Sequence, residues 1–157
     1  MPFQNVKIYA SAGIPYYRRL GANLQRVKLR TAIYDDRGCN SVAVRAPGGK
    51  EYYADLLAFV VLDYDGTRRS DTMAFVRCYA EENASDIAPE VLEKLQRLMT
   101  PLLKVERDVR PKAGGGSKTV DFTDLIPAYD ILRPVYIQPN PLRQGRTKGF
   151  LYNRFVV

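Results

Sequence analysis

Histidine is absent from the 157 residues, and so is tryptophan. Without histidine the chain lacks the commonest general base and the commonest metal ligand. Ser-His-Asp and Cys-His catalysis are excluded, as is any zinc site built on imidazole. The two cysteines, Cys39 and Cys78, are too few for a disulfide framework and form no C-x-x-C pair. They read as small buried or half-buried thiols in a reducing compartment, cytosolic or nuclear. No run of about 20 apolar residues is present to span a bilayer as a helix. The opening Met1-Pro2-Phe3-Gln4-Asn5 lacks the charged-then-apolar order of a signal peptide.

What remains is ordinary in amount and uneven in placement. The hydrophobic share is 46% and the charged share 26%, as expected of one globular domain spanning residues 1–157. Residues 1–50 carry nine Lys/Arg against two Asp/Glu, and residues 104–157 carry ten against five. Between them, residues 51–103 carry five against ten, leaving the whole chain at +7. Two basic ends around an acidic middle suggest a polyanionic partner met by the ends. The alternative is that the positive balance serves solubility alone.

Most segments read as strands. From Arg26 to Tyr34, Val27, Leu29, Thr31 and Ile33 face one way, while Arg26, Lys28 and Arg30 face the other. Asp35-Asp36-Arg37-Gly38 reads as a turn, and Ser41 to Arg45 as a short return strand. Tyr52 to Leu62 is apolar on both faces from Leu56 onward, which fits a central strand covered on both sides. Asp65-Gly66 signals a hairpin, and Thr72 to Tyr79 is its returning strand. One helix is expected near Pro89 to Thr100, with Val91, Leu92, Leu95, Leu98 and Met99 as its apolar stripe and Pro101 as its stop. Gly114-Gly115-Gly116-Ser117 reads as a flexible loop. Short, proline-punctuated strands follow, among them Val120 to Ile126 and Phe150 to Val157. The expected fold is mainly β: a small distorted barrel or sandwich of short antiparallel strands with one inserted helix. Residues 81–118 would form an insert carrying the helix and the glycine loop.

No motif specifies catalysis or a cofactor. Asp63-Tyr64-Asp65-Gly66 superficially resembles a calcium loop, but Ala74 stands where the terminal acidic ligand belongs. Gly114 to Thr119 ends in Gly-Ser-Lys-Thr, yet Ser117 replaces the glycine that a phosphate loop needs before its lysine. No metal, cofactor or catalytic residue is therefore expected. The Arg26, Lys28 and Arg30 stripe is more informative, because three cations on one strand face can track a phosphate backbone. Arg18, Arg19 and the tail residues Arg143, Arg146, Lys148 and Arg154 would extend that surface if the ends meet. Phe75, Arg77 and Tyr79 mix aromatic and basic side chains on one face. If exposed they could stack on bases or enclose a methylated lysine; if buried they are packing. Tyr52, Tyr53, Tyr129 and Tyr136 could join either role.

The order of phrases resembles a bromo-adjacent homology domain over about residues 28–157. Tyr52-Tyr53-Ala54-Asp55-Leu56-Leu57-Ala58-Phe59-Val60, the Asp65-Gly66 hairpin and Ala74-Phe75-Val76-Arg77-Cys78-Tyr79 are similar to consecutive strands of that family. Asp121 to Leu132 is similar to its acidic segment, Val135-Tyr136-Ile137 to the strand after it, and Phe150 to Phe155 to its aromatic closing strand. Cys78 stands where the family usually has tryptophan, and the segment from Glu81 to Lys118 is longer than the pattern. Similar phrases also occur in proteins encoded by eukaryotic mobile elements. The resemblance implies a distorted barrel that binds chromatin proteins, histone tails or nucleic acid in the nucleus without catalysis. If the family's aromatic cage transfers, its positions are Phe75 and Tyr79, with Tyr52 or Tyr53 nearby. The alternative is an interaction or structural domain of a larger polypeptide, to which the strand-like ending Phe155-Val156-Val157 points.

Overall fold

The computed structural model describes residues 3–20, 23–33, 40–64, 70–98, 100–139 and 149–152. In chain order its strands are β1 (Phe3–Tyr9), β2 (Ser11–Leu20), β3 (Asn23–Arg30), β4 (Ser41–Arg45), β5 (Glu51–Tyr64) and β6 (Ser70–Glu81). Then come the helix α1 (Pro89–Leu98) and strands β7 (Leu102–Val105), β8 (Arg107–Pro111) and β9 (Ser117–Asp121). The chain continues through β10 (Thr123–Pro127), β11 (Ile131–Pro134), β12 (Ile137–Pro139) and β13 (Phe150–Tyr152). The turns expected at Asp35 to Gly38 and at Asp65-Gly66 lie outside the described residues, as do Cys39 and Phe155 to Val157.

β5 and β6 are the longest strands, and their antiparallel pairing is the axis of the domain. One path of hydrogen-bonded neighbours runs β11-β4-β5-β6-β7-β13-β12, with β1 added on β5 and β10 on β6. This nine-stranded sheet is antiparallel and curls into a half-barrel. Of the two expected architectures, the distorted barrel is the one adopted. Two separate two-stranded ribbons complete the strands: β2 with β3, and β8 with β9.

Both long strands change partners along one edge. β5 pairs with β4 from Glu51 to Asp55 and with β1 from Phe59 onward. Between them, Leu56 donates its N–H to Asn40 and accepts from Ala32. β6 pairs with β10 from Met73 to Arg77 and with β7 from Tyr79 to Glu81. At this fork Cys78 donates to the Phe122 carbonyl and accepts from Glu106, and Phe122 donates to Glu106. The backbone groups freed by each change of partner are thereby satisfied.

The apolar run in β5 has a more specific cause than burial on both sides. The register slips between Leu56 and Ala58, which inserts one extra residue into β5. Leu56 and Phe59 are three apart, so an unbroken strand would put them on opposite faces. The bulge returns both to the core, where they are 0% and 1% exposed. Around them pack Val42, Val44, Ala54, Ala74, Val76, Cys78, Ile126 and Ile131.

A second, smaller cluster lies under the helix. Val91 and Leu95 of α1 pack with Ile87, Leu102 and Leu151. Glu93 and Arg97 form an ion pair one turn apart on the solvent face. The helix ends at Leu98, short of the expected Thr100. Pro101 disfavours helical geometry at the residue before it, and the Thr100 N–H reaches back to Leu95 instead. Residues 81–118 are more than an insert, because β7 is integral to the sheet between β6 and β13. Gly149 permits that closure: its φ is +119°, and a Cβ there would lie 2.6 Å from the Leu103 carbonyl. Among the described residues no helix is long and apolar enough to cross a membrane.

An ion pair spans β4 and joins the strands on either side of it. Arg133 of β11 grips Glu51 of β5 with two hydrogen bonds, 2.9 and 2.8 Å. Hydrogen bonding from Arg133 holds the Glu51 carboxyl below its ordinary value, against the opposing pull of burial. A folded value below the unfolded one, near 4.5, stabilises above 4.5 and ceases to do so as pH falls through the folded value. Because both side chains are partly exposed, Glu51→Gln is expected to cost only about 0.5–1 kcal/mol at neutral pH. In urea titrations the gap from wild type should close once acid protonates the folded carboxyl. A gap that persists unchanged in acid would show that the ion pair is not its source.

Candidate nucleic-acid interface

The β2–β3 ribbon is held to the barrel by its apolar side. Leu29 of β3 and Ile14 of β2 are 6% and 3% exposed and belong to the main core. Val27 packs against that core from its edge. Thr31, fully buried, donates both its hydroxyl and its N–H to the Ala10 carbonyl. Strand alternation then leaves Arg26, Lys28 and Arg30 exposed, as the sequence pattern predicts. The same pattern fails at Ile33, which is 60% exposed because β3 ends at Arg30.

Among the described residues, Arg26 is oriented by neutral carbonyl acceptors. Its Nε donates to the Ile14 carbonyl at 3.1 Å and its Nη2 to the Gly13 carbonyl at 3.5 Å. These acceptors fix the guanidinium but carry no formal charge. The register sets Gly13 across from Lys28, Tyr17 across from Arg26, and Arg18 and Arg19 across from Gln25 and Leu24. Pro15, which lacks an N–H, falls in the irregular stretch between Gly13 and Tyr17. The tail cations Arg143, Arg146, Lys148 and Arg154 lie outside the described residues.

The four aromatic candidates are not brought into one cage. Tyr52 and Tyr53 are neighbours on a strand and so point to opposite faces. Tyr52 packs against the main core, where burial, with smaller contributions from nearby negative groups, pushes its hydroxyl up to about 12. Tyr53 stacks on Tyr152 with ring centroids 4.8 Å apart. Tyr79 is buried, meets Phe150 edge to face at 5.5 Å, and gives its hydroxyl to Asp55. Of the four, only Phe75 is exposed.

Asp55 is the functional-looking residue that sequence reasoning passed over. It is 6% exposed and takes hydrogen bonds from three side chains on two flanking strands. Ser41 donates to Oδ1 at 2.7 Å; Tyr79 donates to Oδ2 at 2.9 Å, and Arg77 donates to the same oxygen. Arg77 also reaches Asp121 at 3.5 Å, which in turn pairs with Arg107 at 2.5 Å. One signal was available: a single acid between Ala54 and Leu56, inside an apolar run, demands partners. These three bonds tie β4, β5 and β6 together through one carboxylate, while the Arg77 Nε beside it is buried with no partner among the described residues. Neighbouring Cys78 is buried on the opposite face, and desolvation with nearby Glu106 and Asp124 pushes its thiol up to about 11. That suppresses the thiolate on which cysteine reactivity depends.

Asp63 and Asp71 of the β5–β6 pair are engaged as well. Lys7 lies 3.4 Å from Asp63, and Tyr64 donates to Asp71 at 2.8 Å. Among the described residues no three acidic or cysteine side chains gather closely enough to hold a metal ion.

The far end of the same sheet is apolar and open. Register places Leu125, Phe75 and Ala58 in one row and Pro127, Met73, Val60 and Ile8 in the next, with Leu62 and Val6 beyond. Within this face Val6, Ile8, Phe75 and Leu125 are 49, 65, 37 and 42% exposed. Contiguous exposed apolar rows of this kind mark contact surfaces more often than isolated side chains do.

Removing the Asp55 charge tests the strand-holding role. Asp55→Asn leaves Arg77 without its buried counter-ion, and an unpaired buried charge costs several kcal/mol. Because Arg77 is itself about a third exposed, the expected loss is smaller, about 2 kcal/mol, or roughly 4–8 °C in Tm for a chain of this size. Tyr79→Phe should cost about half as much. Melting temperatures within a degree of wild type for both would remove Asp55 from its central place. No family model, curated protein or solved structure matches the chain.

Proposed function

We propose that this domain is a noncatalytic module that binds nucleic acid or chromatin in the nucleus, with the cytoplasm as the alternative setting. The observation that carries the reading is the β2–β3 ribbon. Leu29 and Ile14 bury one side of it, while Arg26, Lys28 and Arg30 stand exposed on the other. Successive cations on a strand face lie about 7 Å apart and can engage a run of phosphates, each contact releasing a condensed counterion. The basic segment containing Arg143, Arg146 and Lys148 would add to the same attraction. The resemblance to bromo-adjacent homology domains supports a chromatin setting and is compatible with an origin in a mobile element. It does not extend to a methyl-lysine cage, since Tyr79 is buried and Tyr52 and Tyr53 are divided between faces.

A second reading, a protein–protein or structural domain of a larger polypeptide, is favoured by the open apolar rows at Val6, Ile8, Phe75 and Leu125. The two readings differ in their response to salt. Phosphate contacts weaken steeply as salt rises, whereas apolar contacts do not.

Binding of a labelled DNA duplex, followed by fluorescence anisotropy across a salt series, decides between them. Replacing Arg26, Lys28 and Arg30 together by Gln should weaken binding about tenfold or more at moderate salt. It should also make the log K against log salt slope shallower by up to about 2.7. Because Arg26 gives up hydrogen bonds to Ile14 and Gly13, the variant should lose about 1 kcal/mol, or about 2–4 °C in Tm, and stay folded through the binding assay. Wild-type affinity and slope in the variant would remove β3 as the contact. No binding by wild type at low salt would move the assignment to the apolar face and a protein partner.

A further inference from the structure

The glycine-rich segment, expected to be a flexible loop, is the tip of a second ribbon. β8 and β9 pair with each other from Arg107 opposite Asp121 to Pro111 opposite Ser117, in a sheet of their own. The root of this ribbon is fixed. It leaves the barrel at the Cys78 fork, where Glu106 and Phe122 complete the edge of β6. Asp121 then holds Arg107 at 2.5 Å and Arg77 at 3.5 Å. Past the root, every residue from 109 to 119 is exposed.

Its charges are arranged against the ribbon's own stability. Arg110 lies directly across from Lys118, and like charges opposite one another destabilise a strand pair. Lys112 follows the end of β8, where its N–H donates to the Gly116 carbonyl at 3.1 Å, and adds a third cation at the tip of the ribbon. Arg110 and Lys118 thus stand about 5 Å apart across the ribbon, with Lys112 beyond them toward the turn. Asp108 offsets Arg110 at 3.3 Å. Among the described residues no carboxylate pairs with Lys112 or Lys118. The turn beyond them is thin: Gly115 and Gly116 take φ of +94° and +75°, conformations glycine adopts without strain. On the other face Val109 is 66% exposed, an apolar side chain at the middle of a polar arm.

We propose that the β8–β9 ribbon is a duplex-DNA-contacting arm in which Arg110, Lys112 and Lys118 meet phosphates as the glycine tip enters the major groove. A two-stranded ribbon fits the major groove of B-form DNA, whereas the deep, narrow major groove of duplex RNA does not admit it. DNA phosphates would supply the anions that Lys112 and Lys118 lack among the described residues. This inference rests on the nucleic-acid reading and adds to it a second contact surface and a preference for DNA over RNA.

Binding of the full chain to a labelled DNA duplex and to an RNA duplex of the same sequence tests it. Arg110, Lys112 and Lys118 replaced together by Gln should lower DNA affinity about tenfold or more and flatten the salt slope by up to about 2.7. The preference for DNA should be lost, while binding through β3 persists. The single reversal Lys112→Glu, at an exposed site, should act in the same direction without disturbing the Asp108–Arg110 pair. If wild type binds DNA and both variants match it in affinity and slope, the arm is not a contact and the β3 reading stands. If wild type binds neither duplex at low salt, both assignments fall.

Discussion

A buried carboxylate must be satisfied or it unfolds what surrounds it, and Asp55 sets that condition for the polar side of this sheet. Ser41 on β4 and Arg77 and Tyr79 on β6 converge on it from the two strands flanking β5. A slip of one residue in either pairing would turn Asp55 toward the core beside Val76 and carry Leu56 out of it. The network therefore fixes register more than it adds net stability, since a buried ion pair roughly cancels its own desolvation cost. Its reach is wide. Arg77 carries it to Asp121 and the root of the β8–β9 ribbon, and Tyr79 carries it to Phe150 on β13.

The opposite side of the sheet obeys a different constraint, the filling of an apolar core. The bulge at Leu57 is where the two meet. It permits Asp55 to face its polar partners while Leu56 and Phe59 both reach the core. Around this rigid centre the two ribbons are peripheral. Each is anchored by a few residues, Leu29 and Ile14 in one case and Asp121 in the other, and each exposes cations beyond its anchor. The proposed division of labour is a barrel that positions and ribbons that touch.

Much of the barrel was legible because its signals are local. Alternation identified β3, turn signals identified β4 and β6 as returning strands, an apolar run identified β5, and the apolar stripe of Val91 and Leu95 identified α1. The exposure of Arg26, Lys28 and Arg30 also followed from alternation alone. What escaped depended on distant residues or on broken patterns. Strand β2 contains Gly13 and Pro15, which read as interruptions until pairing with β3 absorbs them as an irregularity. Strand β1 offers Val6 and Ile8 to solvent, so its alternation indicates no buried face. The charged stretch from Arg107 to Lys118 has no apolar periodicity and forms strands only by pairing with itself. Nothing local joins Ser41, Asp55, Arg77 and Tyr79. Their meeting follows from the order β4-β5-β6, which composition cannot supply.

Amide hydrogen exchange of the full chain with and without a saturating DNA duplex tests the central claim most directly, because it maps the contact face without altering a residue. The account predicts slowed exchange in residues 23–30 and 107–121 on adding DNA. It predicts no change along β1 or around Leu125. Protection confined to the apolar rows of β1, β6 and β10, with both ribbons exchanging as before, would contradict it.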